Sequence, residues 1–369
     1  MKQKKSIVYF FTIAISLTLF LPVLNLSFAQ KYSKINAQSF SKQQLFSTDN
    51  LESIKNYFVY KMFNFSLIED QVIAGKDAFF FLGYGHASVL DKTKGTFPYT
   101  NKDIDHWTNK LKNLQVWYEK QGIEFIIVIA SNKHTVYNDK LPNAIVYKEG
   151  ETITDDIVKY SLNKDINILN LKKALRERRQ DKQLYFHTDT HWTNYGALIG
   201  YIDTIGYLNT SYTKNYQMPK YSVKETATKS DGDLTKFLRI NHFLSDKGEK
   251  NYDFIFEKKS KLCYGKITKT NRLNKCTPGI KNTFNQYVIN KNAPNKEKLL
   301  YLCDSFGLAN SKLYDETFNT VWRLHITYTN GDVLTNFIKE HKPDVVIYQV
   351  VERDLGNNSV VDDILKRII

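Results

Sequence analysis

Cysteine is scarce in this sequence, and the little there is carries no metal signature. The three cysteines, Cys263, Cys276 and Cys303, stand in spacings unlike a zinc knuckle. In an oxidising compartment Cys263 and Cys276 could close a short loop and leave Cys303 as a small buried hydrophobe; retained buried thiols are the alternative. No glycine-rich phosphate loop is present, which excludes a P-loop nucleotide site, and no internal repeat is visible. Acidic residues are outnumbered, 38 against 52 Lys+Arg, for a formal net charge of +14. That balance suits acidic partners: anionic polysaccharides, lipid headgroups or nucleic acid.

What is present narrows those partners. A chain of 369 residues, 42% hydrophobic and 14% aromatic, has enough apolar material for one large domain or two smaller ones. Lys2, Lys4 and Lys5 precede an almost unbroken apolar run from Ile7 to Phe28, and Ser27 and Ala29 supply the small residues of a signal-peptidase site. Residues 1–29 therefore read as a signal peptide. Left uncleaved, residues 7–28 form a membrane anchor, since roughly 20 apolar residues suffice to span a bilayer. Either way the chain is expected to be exported, periplasmic or otherwise extracytoplasmic. Nucleic acid is then excluded as a partner, and the basic surface faces envelope polymers or membranes.

Residues 30–69 form a polar lead-in, and from about residue 70 strand-like and helix-like segments alternate. "DAFFFLGY" (77–84) reads as a buried strand. "DIDHWTNKLKNLQVWYEKQG" (103–122) reads as a helix capped by Asp103 or Asp105 and closed by Gly122. "IEFIIVIA" (123–130), "DINILNL", "KLLYLCDS" and "PDVVIYQVVE" are short apolar runs of the kind that fill a parallel sheet. The alternation predicts an α/β domain over 70–369, a parallel sheet covered by helices. A Lys/Asn/Thr-rich stretch of weak periodicity, about 208–297, reads as an insertion or cap.

Ligands in such sheets bind beyond the strand ends. One strand runs into Ser131, Asn132 and Lys133, another into Asp304 and Ser305. Ser305, followed by Phe306, Gly307 and a helix, sits on a strand-to-helix turn whose backbone N–H groups can face an oxyanion. A serine hydroxyl needs a base. "YFHTDTHWTN" (185–194) offers one: His191 as general base and acid, with Asp189 two residues earlier to orient it. Trp192 can pack beside the pair. His187, four residues before His191, has a metal-like spacing, but no carboxylate-rich block completes a site, so it reads as structural and no metal or cofactor is expected. Glu352 and Arg353 read as a structural ion pair.

"DTHWTNYGA" followed far downstream by "CDSFG" resembles the SGNH-hydrolase-like proteins of the AlgJ/AlgX type, the alginate O-acetylation group, and their DHHW-motif relatives. "GKDAFFF" (75–81), "IASNKHTVYNDKLP", "DGDL" (231–234) and "DVVIYQVVER" (344–353) match further family segments in order, so the resemblance covers about residues 70–355. Cys303 stands where the family commonly has glycine, and Ser131 where it has proline. The carbohydrate-binding module that ends AlgX-like chains is not expected here, as in the shorter, often membrane-anchored members.

The resemblance implies an SGNH-hydrolase-like sheet and an exported O-acetyltransferase acting on polysaccharide hydroxyls. Ser305 looks like the nucleophile, His191 the base and Asp189 its partner; Asp304, Phe306, Lys133, Arg323, Tyr328 and Trp192 are candidates for the oxyanion site or pocket. Acetyl-CoA is cytoplasmic, so a membrane-bound acetyl-donor partner of the MBOAT type is implied, with a polysaccharide as acceptor, an anionic one where the net charge belongs to the site. Three other readings compete: an acetylesterase with the same triad, a metal-dependent phosphoesterase on His187, Asp189 and His191, and a non-catalytic polysaccharide-binding scaffold.

Overall fold

The computed structural model describes residues 2–32, 41–229, 231–245, 248–258, 260–268, 273–279, 283–326, 331–355 and 362. A long apolar helix, α1 (Lys2–Tyr32), is followed by α2 (Lys42–Leu45) and α3 (Asp49–Phe63). A small antiparallel hairpin comes next, β1 (Val72–Ala74) with β2 (Phe80–Leu82), then α4 (Val89–Lys94), α5 (Asn101–Glu119), β3 (Glu124–Ala130), α6 (Lys133–Val136), α7 (Ile153–Leu162), β4 (Ile168–Asn170), α8 (Lys172–Arg178) and α9 (Asn194–Ser211). The chain continues through β5 (Tyr221–Thr228), α10 (Asp233–Phe237), α11 (Asn241–Leu244), β6 (Glu249–Phe256), β7 (Cys263–Lys266), β8 (Thr277–Pro278) and β9 (Gln286–Ile289). It closes with β10 (Asn295–Cys303), α12 (Gly307–Thr317), β11 (Phe318–His325), α13 (Gly331–His341) and β12 (Val345–Val351).

An eight-stranded sheet in the order β4-β3-β12-β10-β11-β9-β7-β8 forms the centre. Its first five strands are parallel; β9, β7 and β8 extend it antiparallel. Alternation along each strand divides the core in two, because successive side chains leave opposite faces. Ile126, Val128 and Ala130 of β3 and Val345, Ile347 and Val351 of β12 pack with Ala197 and Leu198 of α9 and Leu313 and Tyr314 of α12. Phe125, Ile127 and Ile129, with Val346, Tyr348 and Val350, face Leu111 and Leu114 of α5, Ile157 of α7 and Phe337 of α13. Both faces are covered, which is why these strands read as continuous apolar runs.

Three local expectations change. The helix expected over 103–122 begins at Asn101, and its cap is Thr100: the Thr100 hydroxyl accepts the Asp103 N–H while the Asp103 carboxylate accepts the Thr100 N–H. Asp103 is therefore the third residue of a capping box. The segment 77–84 does not enter the central sheet; only Phe80–Leu82 is extended, paired to β1. The stretch 208–297 opens with the last residues of α9 and carries a β5–β6 hairpin, and it also supplies the three strands that widen the sheet beyond β11. Cys263 and Cys276 form a disulfide with Cα atoms 5.4 Å apart, and Cys303 is a free, buried thiol.

Candidate active site

The C-terminal ends of the adjacent strands β3, β12 and β10 carry Ser131, Glu352 and Asp304. Asp304 shapes the turn that follows β10. Its carboxylate accepts the Phe306 N–H at 2.9 Å and, across the sheet, the Val351 N–H at 2.6 Å, while its carbonyl accepts the Gly307 N–H at 3.0 Å. An aspartate closing a turn on the N–H two residues ahead is a local device of that side chain. Burial pushes its carboxyl pKa up, and the Val351 and Phe306 N–H groups and the Arg353 charge oppose that. Ser305 is left at the apex. Gly307 must be glycine here: a β-carbon would overlap Cys303 Sγ and the Tyr301 hydroxyl, against which α12 starts.

The second half of the site is a tight loop. Tyr185 and Trp192 form an isolated antiparallel bridge, and the Thr193 N–H donates to Leu184 O at 2.8 Å, so residues 186–191 are looped out between two paired ends. Thr193 then caps α9, its hydroxyl accepting the Gly196 N–H at 3.2 Å. Trp192 is buried and its indole N–H donates to Phe306 O at 2.9 Å, which joins this loop directly to the Ser305 turn. The Glu249 carboxylate, from β6, accepts the His187 and Thr188 N–H groups and the Thr188 hydroxyl.

These two turns bring three expected residues together. His191 Nε2 lies 2.8 Å from Ser305 Oγ, and His191 Nδ1 lies 2.6 Å from Asp189 Oδ1. The same Asp189 oxygen accepts the His191 backbone N–H at 2.9 Å, so the two-residue spacing lets one carboxylate hold both the chain and the ring. Burial pushes the Asp189 pKa up, yet its hydrogen bonds to His191, the imidazole charge and the Asp233 N–H outweigh it and hold the carboxyl well below the usual range. The site is neither sealed nor fully open: the His191 and Asp189 side chains are 31% and 25% exposed. An imidazole set between a hydroxyl and a carboxylate can remove the hydroxyl proton and carry the resulting charge.

Asp233 is not among the expected site residues, although it lies in the "DGDL" segment of the resemblance. Its N–H donates to Asp189 Oδ2 at 3.0 Å, and its carboxylate accepts the Thr190 N–H at 2.7 Å and the Thr190 hydroxyl at 2.5 Å. Gly232 permits this approach, since a β-carbon there would overlap the Thr188 carbonyl and Asp189 Cβ. The donor atoms of Asp189, His191 and Asp233 lie within 4.8 Å of one another, but these oxygens already accept N–H and O–H donors. His187, needed for the phosphoesterase reading, is outside the group. Its ring packs 4.1 Å from that of Phe79, and burial beside Lys133 lowers its pKa to about 4.

The remaining candidates fall elsewhere. The Phe306 N–H is engaged by Asp304, so it does not serve an oxyanion; its ring instead packs on the His191 ring at 4.9 Å. Asp304 is a buried acceptor and not a donor, and Trp192 is a brace between loops. Lys133 is 3% exposed, and its ammonium donates to Phe80 O at 2.7 Å and His187 O at 3.3 Å, tying β2 to the loop behind the site. Burial lowers its pKa to about 8 against the nearby charges of Glu249, Asp189 and Asp233. Arg323 is 1% exposed and pairs with Asp315 of α12 at 2.9 Å and with Thr283 O. Tyr328 lies outside the described residues. Glu352 and Arg353 do not pair with each other: Glu352 accepts the Asn132 N–H and the Thr135 hydroxyl, and the Arg353 guanidinium lies 5.5 Å from the centre of the Phe306 ring.

Comparisons with known proteins bear on the fold that carries these residues. Residues 72–254 match the family model described as the SGNH hydrolase-like domain of the acetyltransferase AlgX. That stretch, just under half of the chain, resembles an AlgX-type SGNH-hydrolase-like domain. Strands β1 to β5 and most of β6 lie within the matched residues; the Ser305 turn lies beyond them. Among solved structures, Bacillus cereus PatB1 with a sulfonyl adduct aligns at TM-score 0.57 and 16% identity, covering 79% of this chain and 97% of that one. The O-acetyltransferase domain of Pseudomonas putida AlgJ aligns at 0.51 and 14%, covering 77% and 92%. A DHHW family protein from Eubacterium siraeum gives 0.54 and 14%, covering 80% and 94%. At these identities the likeness is one of fold. No curated protein sequence matches the chain.

Proposed function

We propose that the protein is an exported O-acetyltransferase that moves acetyl groups onto polysaccharide hydroxyls through an acyl-serine intermediate. The observation that carries this reading is the continuous line from Ser305 Oγ through His191 to Asp189, at 2.8 and 2.6 Å. The AlgX acetyltransferase-domain match and the acetyltransferase activity in the AlgJ neighbour's name support the reaction class.

In the first half-reaction His191 Nε2 takes the Ser305 proton as Oγ attacks the carbonyl carbon of an acetyl donor. The tetrahedral oxyanion then collapses, and His191 returns the proton to the leaving oxygen. Asp189 holds the ring and stabilises its protonated form. Ser305's own N–H, with no partner among the described residues, is the donor assigned to the oxyanion; the neighbouring Phe306 N–H is taken by Asp304. In the second half-reaction a sugar hydroxyl gives its proton to His191 and attacks the acetyl-serine carbonyl; the tetrahedral intermediate collapses with cleavage of the Ser305 Oγ–acyl bond, His191 returns the proton to Oγ, and the sugar leaves as the O-acetyl ester. Arg353, with its guanidinium 5.5 Å from the centre of the Phe306 ring, puts a cation beside the site and suits an anionic acceptor.

The apolar helix at the N-terminus supports export: Ile7–Lys31 is long and apolar enough to cross a membrane, at mean hydropathy 2.3. An acetyl donor outside the cytoplasm calls for a membrane-bound partner of the MBOAT type. The deciding experiment is mass spectrometry of the intact protein after p-nitrophenyl acetate or a sulfonyl fluoride. One acetyl or sulfonyl group on Ser305 is expected, absent from Ser305→Ala; modification elsewhere, or none, overturns the acyl-serine reading. Acetyl transfer to a polysaccharide above the rate of hydrolysis separates a transferase from an esterase. Turnover unaffected by EDTA is expected, whereas EDTA-sensitive activity restored by zinc would revive the phosphoesterase.

A further inference from the structure

Helix α3 is built the wrong way round for a helix in water. The side facing the protein carries Ser53, Asn56 and Tyr60, all buried; Asn56 donates to Leu238 O at 3.0 Å, and Tyr60 packs on Phe80. The outward side carries Leu51, Phe58 and Met62, which are 43%, 59% and 63% exposed, and Phe63, Phe65 and Leu67 extend it. Residues 51, 58 and 62 fall on one stripe of an α-helix. Lys55 and Lys61 are exposed among them. Scattered exposed apolar residues need no explanation, but a contiguous group opposite a polar inner face does.

The position of α3 says what meets that face. The last turns of α1 leave the apolar span and dock at the start of α3. The Asn25 side chain is fully buried, donating to the carbonyls of Gln44, Leu45 and Ser47 at 2.7 to 3.1 Å and accepting from Asn50 at 2.9 Å. Phe28 packs edge-on against Phe243, which also stacks on Tyr57 of α3. The point where the apolar helix leaves the folded domain is thus beside α3. Toward the N-terminus of that point, Ile7, Val8, Phe11, Ile15, Leu19 and Phe20 present an exposed apolar surface.

We infer that α3 and the turn after it, Leu51 to Leu67, form a lipid-contacting face that seats the domain on the membrane surface next to the α1 span. The apolar stripe enters the headgroup boundary, and Lys55 and Lys61 stay at headgroup level, favouring anionic lipid. This rests on the exposed N-terminal part of the apolar helix α1 being retained as a membrane span, and the test separates the two ideas. The full chain with one introduced cysteine, Phe58→Cys, Met62→Cys, Ile15→Cys or Lys173→Cys, is labelled with an environment-sensitive fluorophore. The native cysteines are in a disulfide or buried, so labelling goes to the new thiol. Each protein is reconstituted in phosphatidylcholine/phosphatidylglycerol vesicles containing lipid brominated on the acyl chains.

Labels at 58 and 62 should shift to the blue and be quenched, and the label at Lys173, 86% exposed on α8, should not. Adding Phe58→Glu should return the label at 62 to the aqueous spectrum with unchanged circular dichroism. Quenching at 15 with aqueous spectra at 58 and 62 overturns the seating of α3 and leaves the span standing; the stripe then faces a membrane-embedded protein. An aqueous spectrum at 15 overturns the span. Equal quenching at 173 overturns the assignment of a specific face.

Discussion

The loop of residues 185–193 and the outer face of α3 are both unusual in composition, and they resolve in opposite ways. Around Asp189 the polar groups turn inward and find each other: His191, Thr190, Asp233 and Glu249 account for the loop's carboxylates, hydroxyls and N–H groups. On α3 the polar Ser53 and Asn56 also turn inward, but the apolar Leu51, Phe58 and Met62 are left outside. A closed polar network inside the fold stores a geometry for chemistry. An apolar face outside it points to surroundings other than water. Substitutions should therefore divide cleanly, those in the loop changing turnover of a soluble ester and those on α3 changing only where the protein sits.

The largest effect should come from Ser305→Ala or His191→Ala, each lowering p-nitrophenyl acetate turnover by about 10⁶-fold, because nucleophile and base act as one unit. Phe58→Glu in the same assay should leave turnover within about twofold, as expected of an exposed site away from the chemistry; a comparable loss would break the division. Asp189→Asn keeps the shape but loses the carboxylate that selects the ring's tautomer, and should cost about 10⁴-fold in kcat.

Asp315→Ala should act through stability instead. It leaves the Arg323 guanidinium buried without its carboxylate, a change of about 3–5 kcal/mol in denaturant unfolding, with kcat of the remaining folded protein unchanged. A large fall in kcat would return Arg323 to the site. Gly232→Ala pushes the 231–234 segment off Asp189 and should lower kcat by about 10²-fold, the scale expected for a misplacement of about 1 Å. Thermal denaturation should report no more than a modest loss of stability for this variant.

The smallest effect is one of pH. His187 and His134 are held to about 4 and about 3 by burial, below the unfolded value of about 6.5. The unfolded chain binds more protons between those values, so stability is full above about pH 6.5 and is lost as pH falls through the folded pKa values. The melting temperature should drop across that window, and His187→Gln should flatten the drop. A melting temperature constant down to pH 4 would show that neither ring is buried neutral.

Much of the site was legible because its signals are local. Ser305 stands directly after an apolar strand run, and an Asp-x-His spacing lets one turn join both side chains. Asp233 was not legible as a partner: its contact with Asp189 crosses 44 residues and depends on a glycine's missing side chain. The same limit explains Arg323, a cation that looked available until Asp315 and Thr283 enclosed it. Phe306 shows a finer version, in which the neighbouring aspartate claims the N–H that the turn would otherwise offer.

Apolar periodicity determined the alternation of strands and helices and the helix-covered parallel sheet, and short local motifs brought Ser305, His191 and Asp189 forward as candidates, because those follow from which residues sit next to one another along the chain. Tertiary structure alone decided that β9, β7 and β8 widen the sheet, that 77–84 stays out of it, that Lys133 and Arg323 are clamps, and that the polar side of α3 faces inward. Each of those turns on which groups meet across long separations in sequence. There the cost of burying an unpaired charge or hydrogen-bonding group selects among partners that no local pattern distinguishes.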